Sequence, residues 1–344
     1  MKVLVTGSEG YIGAVMCPIL MAEGHEVVGL DTGFYDGCDF GPYEVEHPRL
    51  ALDVRDVRPE HLAGFDAVVH LAALSNDPLG DLAPALTHDI NFHGTVTLAR
   101  AARSADVGRF VFASSCSMYG AAEGDALLAE EAPLRPLTPY AESKVRSEAA
   151  LLELDGDGFS TVSMRNATVY GVSPRLRLDV VLNDLAAWSH VTGRIRLLSD
   201  GTSWRPLLHV RDLAKVAARM LTAPADVVAG RAFNVGSATQ NYLVRDLAEM
   251  LSEVTGCEVE LAGNASPDPR SYRVDFSALE VAFPDLELDW DARRGAEELV
   301  TAYRTLGMSK EAFEGRSYVR LRQLRHLLEE GRLAADLRWA RSYA

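Results

Sequence analysis

Short apolar runs separated by longer helical patterns leave this chain few architectures to choose from. Val3-Leu4-Val5, Glu26 to Asp31, Ala67 to Leu71, Arg109 to Ala113, Thr161 to Arg165 and Ala232 to Val235 read as strands. Helical patterns fill the intervals at Tyr11 to Glu23, Pro84 to Ala105, Pro139 to Leu154 and Val210 to Thr222. Such alternation predicts a parallel sheet flanked by helices, because a parallel neighbour requires a crossover long enough to hold one.

The first crossover is the most specific. Gly7-Ser8-Glu9-Gly10-Tyr11-Ile12-Gly13 follows the first strand and opens the first helix. Glycines there permit a tight turn, let backbone N–H groups approach a pyrophosphate, and let the helix pack close to the sheet. The predicted fold is therefore α/β, a Rossmann doubly wound parallel sheet, with Tyr11 and Ile12 carried against the cofactor by the same turn. Asp31, at the end of the second strand, would accept hydrogen bonds from the adenosine ribose hydroxyls and repel the extra phosphate of NADP. NAD is the expected cofactor. A plainer reading has Asp31 capping a turn before Gly33. Asp53-Val54 would hold the adenine edge, and Leu71-Ala72-Ala73 supplies small residues where backbone must pass close to the cofactor.

From about Tyr170 the pattern loses regularity, with Gly171, Pro174, Gly193, Gly201 and Pro206 intervening before a strand returns at Phe233. This predicts a smaller, interleaved C-terminal substrate domain. Residues 1–169 and 207–236 would form the NAD-binding domain, and 170–206 and 237–344 the substrate-binding domain. The latter ends in a charged tail from about Thr305 whose Leu321, Leu324, Leu327 and Leu328 are spaced for a helix, covering the core or forming a dimer seam.

The 34 Lys+Arg against 49 Asp+Glu give a formal charge of -15, with no basic run to follow a phosphate backbone. Nucleic acid is not expected as a partner. A small anion is compatible with this charge, because aimed arginines and a helix N-terminus bind phosphate locally. The cysteines, Cys17, Cys38, Cys116 and Cys257, are scattered, and neither they nor the histidines show metal-ligand spacing, so no metal is expected. With a strand from Lys2 and no apolar stretch approaching the roughly 20 residues that span a bilayer, the expectation is a cytoplasmic enzyme without a membrane partner.

Tyr140-Ala141-Glu142-Ser143-Lys144 puts a phenol and an ammonium on one helix face. The cation stabilises phenolate, which brings a group with a pKa of about 10 nearer neutrality, where it can exchange a proton with an alcohol or ketone. Lys144 could also reach the nicotinamide ribose, which makes both residues cofactor contacts as well. Alone, this spacing is commonplace on helix surfaces. Here a buried strand, Phe110 to Ala113, ends upstream in Ser114 and Ser115 at the sheet edge where α/β folds bind ligands.

With TGSEGYIG, HLAALS, SSCSMYG, YAESK, RNATVYG and DGTSWRPLLHVRDLA in order, the sequence resembles the extended short-chain dehydrogenase/reductases, specifically the nucleotide-sugar epimerase/dehydratase family. These motifs span most of Met1 to Leu213. The resemblance implies a catalytic Ser115, Tyr140 and Lys144, and cofactor contacts from Gly7, Gly10, Gly13 and Asp31. It implies that Asn166 lies near nicotinamide or substrate and that Arg205 reaches the diphosphate of a nucleoside-diphosphate sugar. Arg270 would be a second phosphate contact or an exposed ion pair. Ser75 and Ser117 are read as substrate contacts, and Asp179 and Asn183 as lining the same cleft or capping it. By the same resemblance, two copies would pair as a homodimer through Pro84 to Ala105 and Pro139 to Leu154.

Dehydratases of this family carry acidic residues immediately after the catalytic hydroxyl, and decarboxylases tend to carry a Glu there. This chain has Cys116 and Ser117. What that leaves is oxidation of a sugar carbon with return of the hydride to the opposite face. The expected activity is epimerisation through a transient keto-sugar. A nucleotide-sugar ketoreductase uses the same groups, and a catalytically silent NAD-binding protein would share the fold.

Overall fold

The computed structural model describes residues 1–43, 45–75, 83–121, 126–266 and 270–340. Its main sheet has seven strands: β1 (Lys2–Thr6), β2 (Glu26–Asp31), β3 (Arg49–Ala51), β4 (Ala67–His70), β5 (Arg109–Ser115), β6 (Ser160–Asn166) and β7 (Arg231–Val235). They lie in the order β7-β6-β5-β4-β1-β2-β3, and every neighbouring pair is parallel. The strand order reverses between β1 and β4, the crevice at which open α/β sheets bind ligands beyond the strands' carboxyl ends. The expected Rossmann doubly wound sheet is present.

Alternation along the strands divides the core in two. Val3 and Val5 join Val69, Val111, Met16 and Leu213 on one face. Leu4 joins Val68, Phe110, Phe112 and Leu98 on the other. Both faces are covered, which is why the strands read as nearly continuous apolar runs. The covering helices include α1 (Gly13–Ala22), α2 (Gly94–Ser104) and α3 (Pro139–Leu154). The helix expected over Pro84 to Ala105 changes pitch before α2, because His88–His93 is π-helical.

A third cluster holds the smaller part together, where helices Val181–Thr192, Val244–Thr255 and Ala292–Thr305 bury Leu185, Leu247, Leu299 and Tyr303. The tail differs from one leucine-spaced helix. Two short helices, Lys310–Glu314 and Arg320–Glu329, lead into an irregular strap reaching residue 340. Leu324, Leu327, Leu333 and Leu337 are buried in the same cluster as Leu4 and Leu30. Gln323 Nε2 donates to the Phe34 carbonyl at 3.1 Å, and Trp339 Nε1 to the Thr32 carbonyl at 2.7 Å. Residues 320–340 thus rest on the β1–β2 side of the main sheet. Among the described residues, no helix is long and apolar enough to cross a membrane.

Candidate functional site

At the β1–α1 turn, Gly7 has φ +72°, and a Cβ there would lie 2.9 Å from the Ala72 nitrogen. A Cβ on Gly13 would lie 2.2 Å from the Gly7 carbonyl oxygen. The turn is therefore pressed against the loop after β4, and α1 aims its N-terminus over it, an arrangement suited to an anion. The resulting cleft encloses about 880 Å³ including its mouth. Gly7, Gly10, Tyr11, Ile12, Gly13, Asp31, Asp53, Val54, Leu71, Ala72 and Ala73 all line it, as does Ser75, which the sequence had suggested for the substrate.

Asp31 caps its turn and also lines the cleft. Its Oδ1 accepts from Gly33 N at 2.8 Å and its Oδ2 from Glu9 N at 3.1 Å, which shapes the turn, while the residue still faces the cleft. Burial raises its pKa against the pull of those two N–H groups. Asp53 Oδ1 accepts from the Arg55 backbone N–H at 2.9 Å and its Oδ2 from Arg55 Nη2 at 2.7 Å, which fixes the short turn presenting Val54. Tyr11 ties the cleft to the smaller part, donating from its hydroxyl to the Gly171 carbonyl at 2.8 Å.

Further along the sheet edge, Ser115 ends β5 and Asn166 ends β6 in direct register. A 3₁₀ turn, Cys116–Tyr119, follows Ser115. Ser115 Oγ donates to Ser117 Oγ at 2.9 Å and accepts from Ser117 N at 3.1 Å, and both hydroxyls are partly exposed. Cys116 points the other way. Its buried thiol donates to the Arg165 carbonyl at 3.0 Å, and burial pushes its pKa up.

Thr138 caps α3 by accepting from Ala141 N at 3.2 Å, and Pro139 provides the preset first residue, so Tyr140 and Lys144 stand one turn apart. Lys144 Nζ lies 5.7 Å from the Tyr140 ring centroid and donates to the Ala113 carbonyl at 2.7 Å. Burial pulls its pKa down to about 7. Asn166 is buried, and its Oδ1 has no hydrogen-bond partner among the described residues.

The π-helical turn adds a support that the sequence reading missed. Asn91 accepts at Oδ1 from Leu74 N at 2.8 Å, and its Nδ2 donates to the Leu74 carbonyl at 3.1 Å and to Ser143 Oγ at 3.2 Å. It therefore clamps the cofactor loop to the helix bearing Tyr140 and Lys144. Its widened turn also offers the Asn91 carbonyl to Thr95 Oγ1 at 2.5 Å and Ser147 Oγ at 3.3 Å. Thr95 in turn meets His70 Nε2 at 2.8 Å, and His70 Nδ1 meets Thr6 Oγ1 at 2.7 Å. Burial, together with the Lys144 charge, pushes His70 down to about 3.

The remaining expected substrate residues separate. Arg205 Nη1 donates to the carbonyls of Trp204, at 2.7 Å, and Arg270, so the two arginines are brought together. A bridge between Ala121 and Ser271 sets this pair beside the segment that follows the Ser115 turn. Asp179 instead pairs with Arg177 at 2.7 Å, and Arg177 lines the cofactor cleft. Asn183 is fully buried: its Oδ1 accepts from Gly171 N at 3.0 Å, and its Nδ2 donates to Tyr11 Oη at 3.2 Å and the Arg177 carbonyl at 2.9 Å. With both amide atoms committed, Asn183 latches the two parts together instead of facing a ligand. The sequence reading also missed Arg177 and Arg320 in the cofactor cleft. The doublet in Pro174-Arg175-Leu176-Arg177 was a signal for the first, whereas Arg320 lies among many charged tail residues.

Sheet, glycine turn and cleft together define a dinucleotide-binding α/β protein. The chain belongs to the NAD dependent epimerase/dehydratase family, whose model matches residues 3–236. It is 28% identical over 329 residues to a UDP-glucose 4-epimerase of Bacillus subtilis (strain 168), covering 87% of this chain and 94% of that one. It is 30% identical over 290 residues to a dTDP-glucose 4,6-dehydratase of Streptomyces griseus, covering 80% and 86%. The solved structure of MoeE5 in complex with UDP-glucuronic acid and NAD superposes with a TM-score of 0.77 at 25% identity, covering 89% of this chain and 99% of that one. NAD is the family's cofactor, and the close-packed glycine turn, Asp31 and the small residues after β4 fit it.

Proposed function

We propose that this protein is a nucleotide-sugar epimerase that works through a transient keto-sugar. The observation that carries the proposal is the makeup of the sheet edge beyond β5, where Ser115 and Ser117 are partly exposed, Tyr140 stands one helical turn from the buried Lys144, and the adjacent thiol is turned into the core. Ser115 donates to the reacting sugar oxygen, and Tyr140 takes up and returns its proton. The Lys144 charge stabilises the phenolate, and Asn166 Oδ1 is available to orient a donor beside Ser115. NAD, when bound, takes a hydride from the sugar carbon and gives it back. With no carboxylate at 116 or 117, the turn offers no base to abstract a neighbouring C–H proton.

The relatives named for UDP-glucose 4-epimerase activity support this reading, in which Arg205 contacts the diphosphate of the substrate. In this reading 1–169 and 207–236 serve the cofactor and 170–206 and 237–344 the substrate, apart from the strap 320–340. The enzyme works in the cytoplasm as a homodimer through the segments Pro84 to Ala105 and Pro139 to Leu154, and light scattering that finds only monomer would refute the dimer. Incubation with a panel of nucleotide sugars in D₂O, followed by NMR and mass spectrometry, tests the activity. The expected product has inverted one carbon at unchanged elemental composition. Loss of water would instead mark a dehydratase like the Streptomyces griseus relative, and stoichiometric consumption of NADH a ketoreductase.

A further inference from the structure

Arginine is seldom fully buried unless it is paired. Arg320 opens the helix Arg320–Glu329 yet is only 2% exposed. Its Nη2 donates to the Arg175 carbonyl at 2.7 Å, and its guanidinium lies 4.1 Å from the Tyr35 ring centroid. Its Nη1 is buried with no hydrogen-bond partner among the described residues. Arg320 lines the cofactor cleft together with Gly7, Gly10 and Gly13.

Arg177 stands in the same wall, with Nη1 donating to Ser75 Oγ at 3.1 Å and Nε paired to Asp179 at 2.7 Å. Asp179 balances one of the two cations. The other cation, Arg320, shares the cleft with the carboxylates Asp31 and Asp53, whose own bonds go to Glu9 and Gly33 and to Arg55. A group that satisfies such a wall is an anion with several acceptor oxygens. A dinucleotide whose adenosine ribose meets Asp31 carries its pyrophosphate over the glycine turn, opposite these side chains.

We propose that Arg177 and Arg320 form a two-guanidinium clamp on the cofactor's pyrophosphate, and that the C-terminal strap, by supplying Arg320, retains NAD through successive turnovers. The strap also holds the rim of the cleft, since Gln323 and Trp339 bond the carbonyls of Phe34 and Thr32. Retention suits an enzyme that returns the hydride it takes, so the inference rests on the epimerase reading for its purpose but only on the NAD site for its chemistry.

The test uses full-length wild type, Arg320→Gln and Arg320→Lys, with bound NAD(H) measured by acid release after repeated desalting and by its rate of loss on dilution. Arg320→Gln should lose NAD at least about tenfold faster than wild type, as expected for a lost charge-assisted phosphate contact, with Arg320→Lys between them. Melting temperatures separate a clamp from a merely structural arginine. Stripped of NAD, Arg320→Gln should melt only slightly below wild type, by what the Arg175 carbonyl bond and the Tyr35 ring contact contribute, while its NAD-induced rise should shrink. Equal release rates, or an equal drop in melting temperature with and without NAD, would overturn the clamp alone. A wild type that neither carries NAD nor gains stability from it would overturn the NAD site and the clamp together.

Discussion

The carboxylates at the cofactor end of the cleft differ from the polar groups at its reactive end. At the cofactor end the carboxylates already have protein partners: Asp31 holds Glu9 and Gly33, Asp53 holds Arg55, and Asp179 holds Arg177. At the reactive end capacity is left open. Among the described residues Asn166 Oδ1 has no partner, and Lys144 makes one hydrogen bond of the three an ammonium can donate. Pre-satisfied groups hold a fixed geometry for a cofactor that stays in place. Open groups suit a substrate whose bonds and protons change during the reaction.

Tyr140→Phe should separate the ends most sharply. Losing the phenol proton should lower turnover by about 100-fold or more while NAD binding is retained, as read by single-turnover kinetics and NAD titration. Unchanged turnover would move the proton transfer away from α3.

His70 sits between the ends, and its titration gives the next effect. The folded ring has a pKa of about 3 against an ordinary 6.5, so between those pH values the unfolded chain binds a proton that the native one refuses. Its contribution is complete above about pH 6.5 and is lost as pH falls, by about 2 kcal/mol between roughly pH 7 and pH 5. Urea unfolding at both pH values, compared with His70→Gln, measures this. An identical pH difference in the variant would remove His70 from the account.

Asp31→Ala should weaken NAD by about tenfold and relax discrimination against NADP, in the manner of a lost charged hydrogen bond. Its effect should be confined to the cofactor, and a change in sugar KM without one in NAD affinity would break the division between the ends. The smallest expected change is for Arg205→Lys. It should raise the substrate KM roughly threefold to tenfold with little loss of kcat, because a diphosphate contact is similar in ground and transition states. A fall in kcat at constant KM would place Arg205 nearer the reacting carbon.

Much of this was legible in the sequence because it is local. Val3, Leu4 and Val5 declare a strand covered on both faces, and the glycines and Asp31 mark the crossover they serve. Position 116 against 117 was not legible, since residue type alone does not say which of the two faces the site, whereas the turn sends Cys116 inward and leaves Ser117 beside Ser115. Asn183 also looked like a cleft residue, but Tyr11, Gly171 and Arg177 surround its amide. Arg320 carried no signal at all, because its meeting with Tyr35 depends on where the tail docks and not on any repeat near it.

That docking has a consequence for how the protein is made. Thr32 and Phe34 leave the ribosome about 300 residues ahead of their hydrogen-bonding partners Trp339 and Gln323. At 5–20 residues per second, the interval is roughly 15–60 s. Through that time β1 and β2 can pair with their neighbours while the rim beside Asp31 waits unfastened. The cofactor clasp thus closes long after the residues it closes upon have appeared.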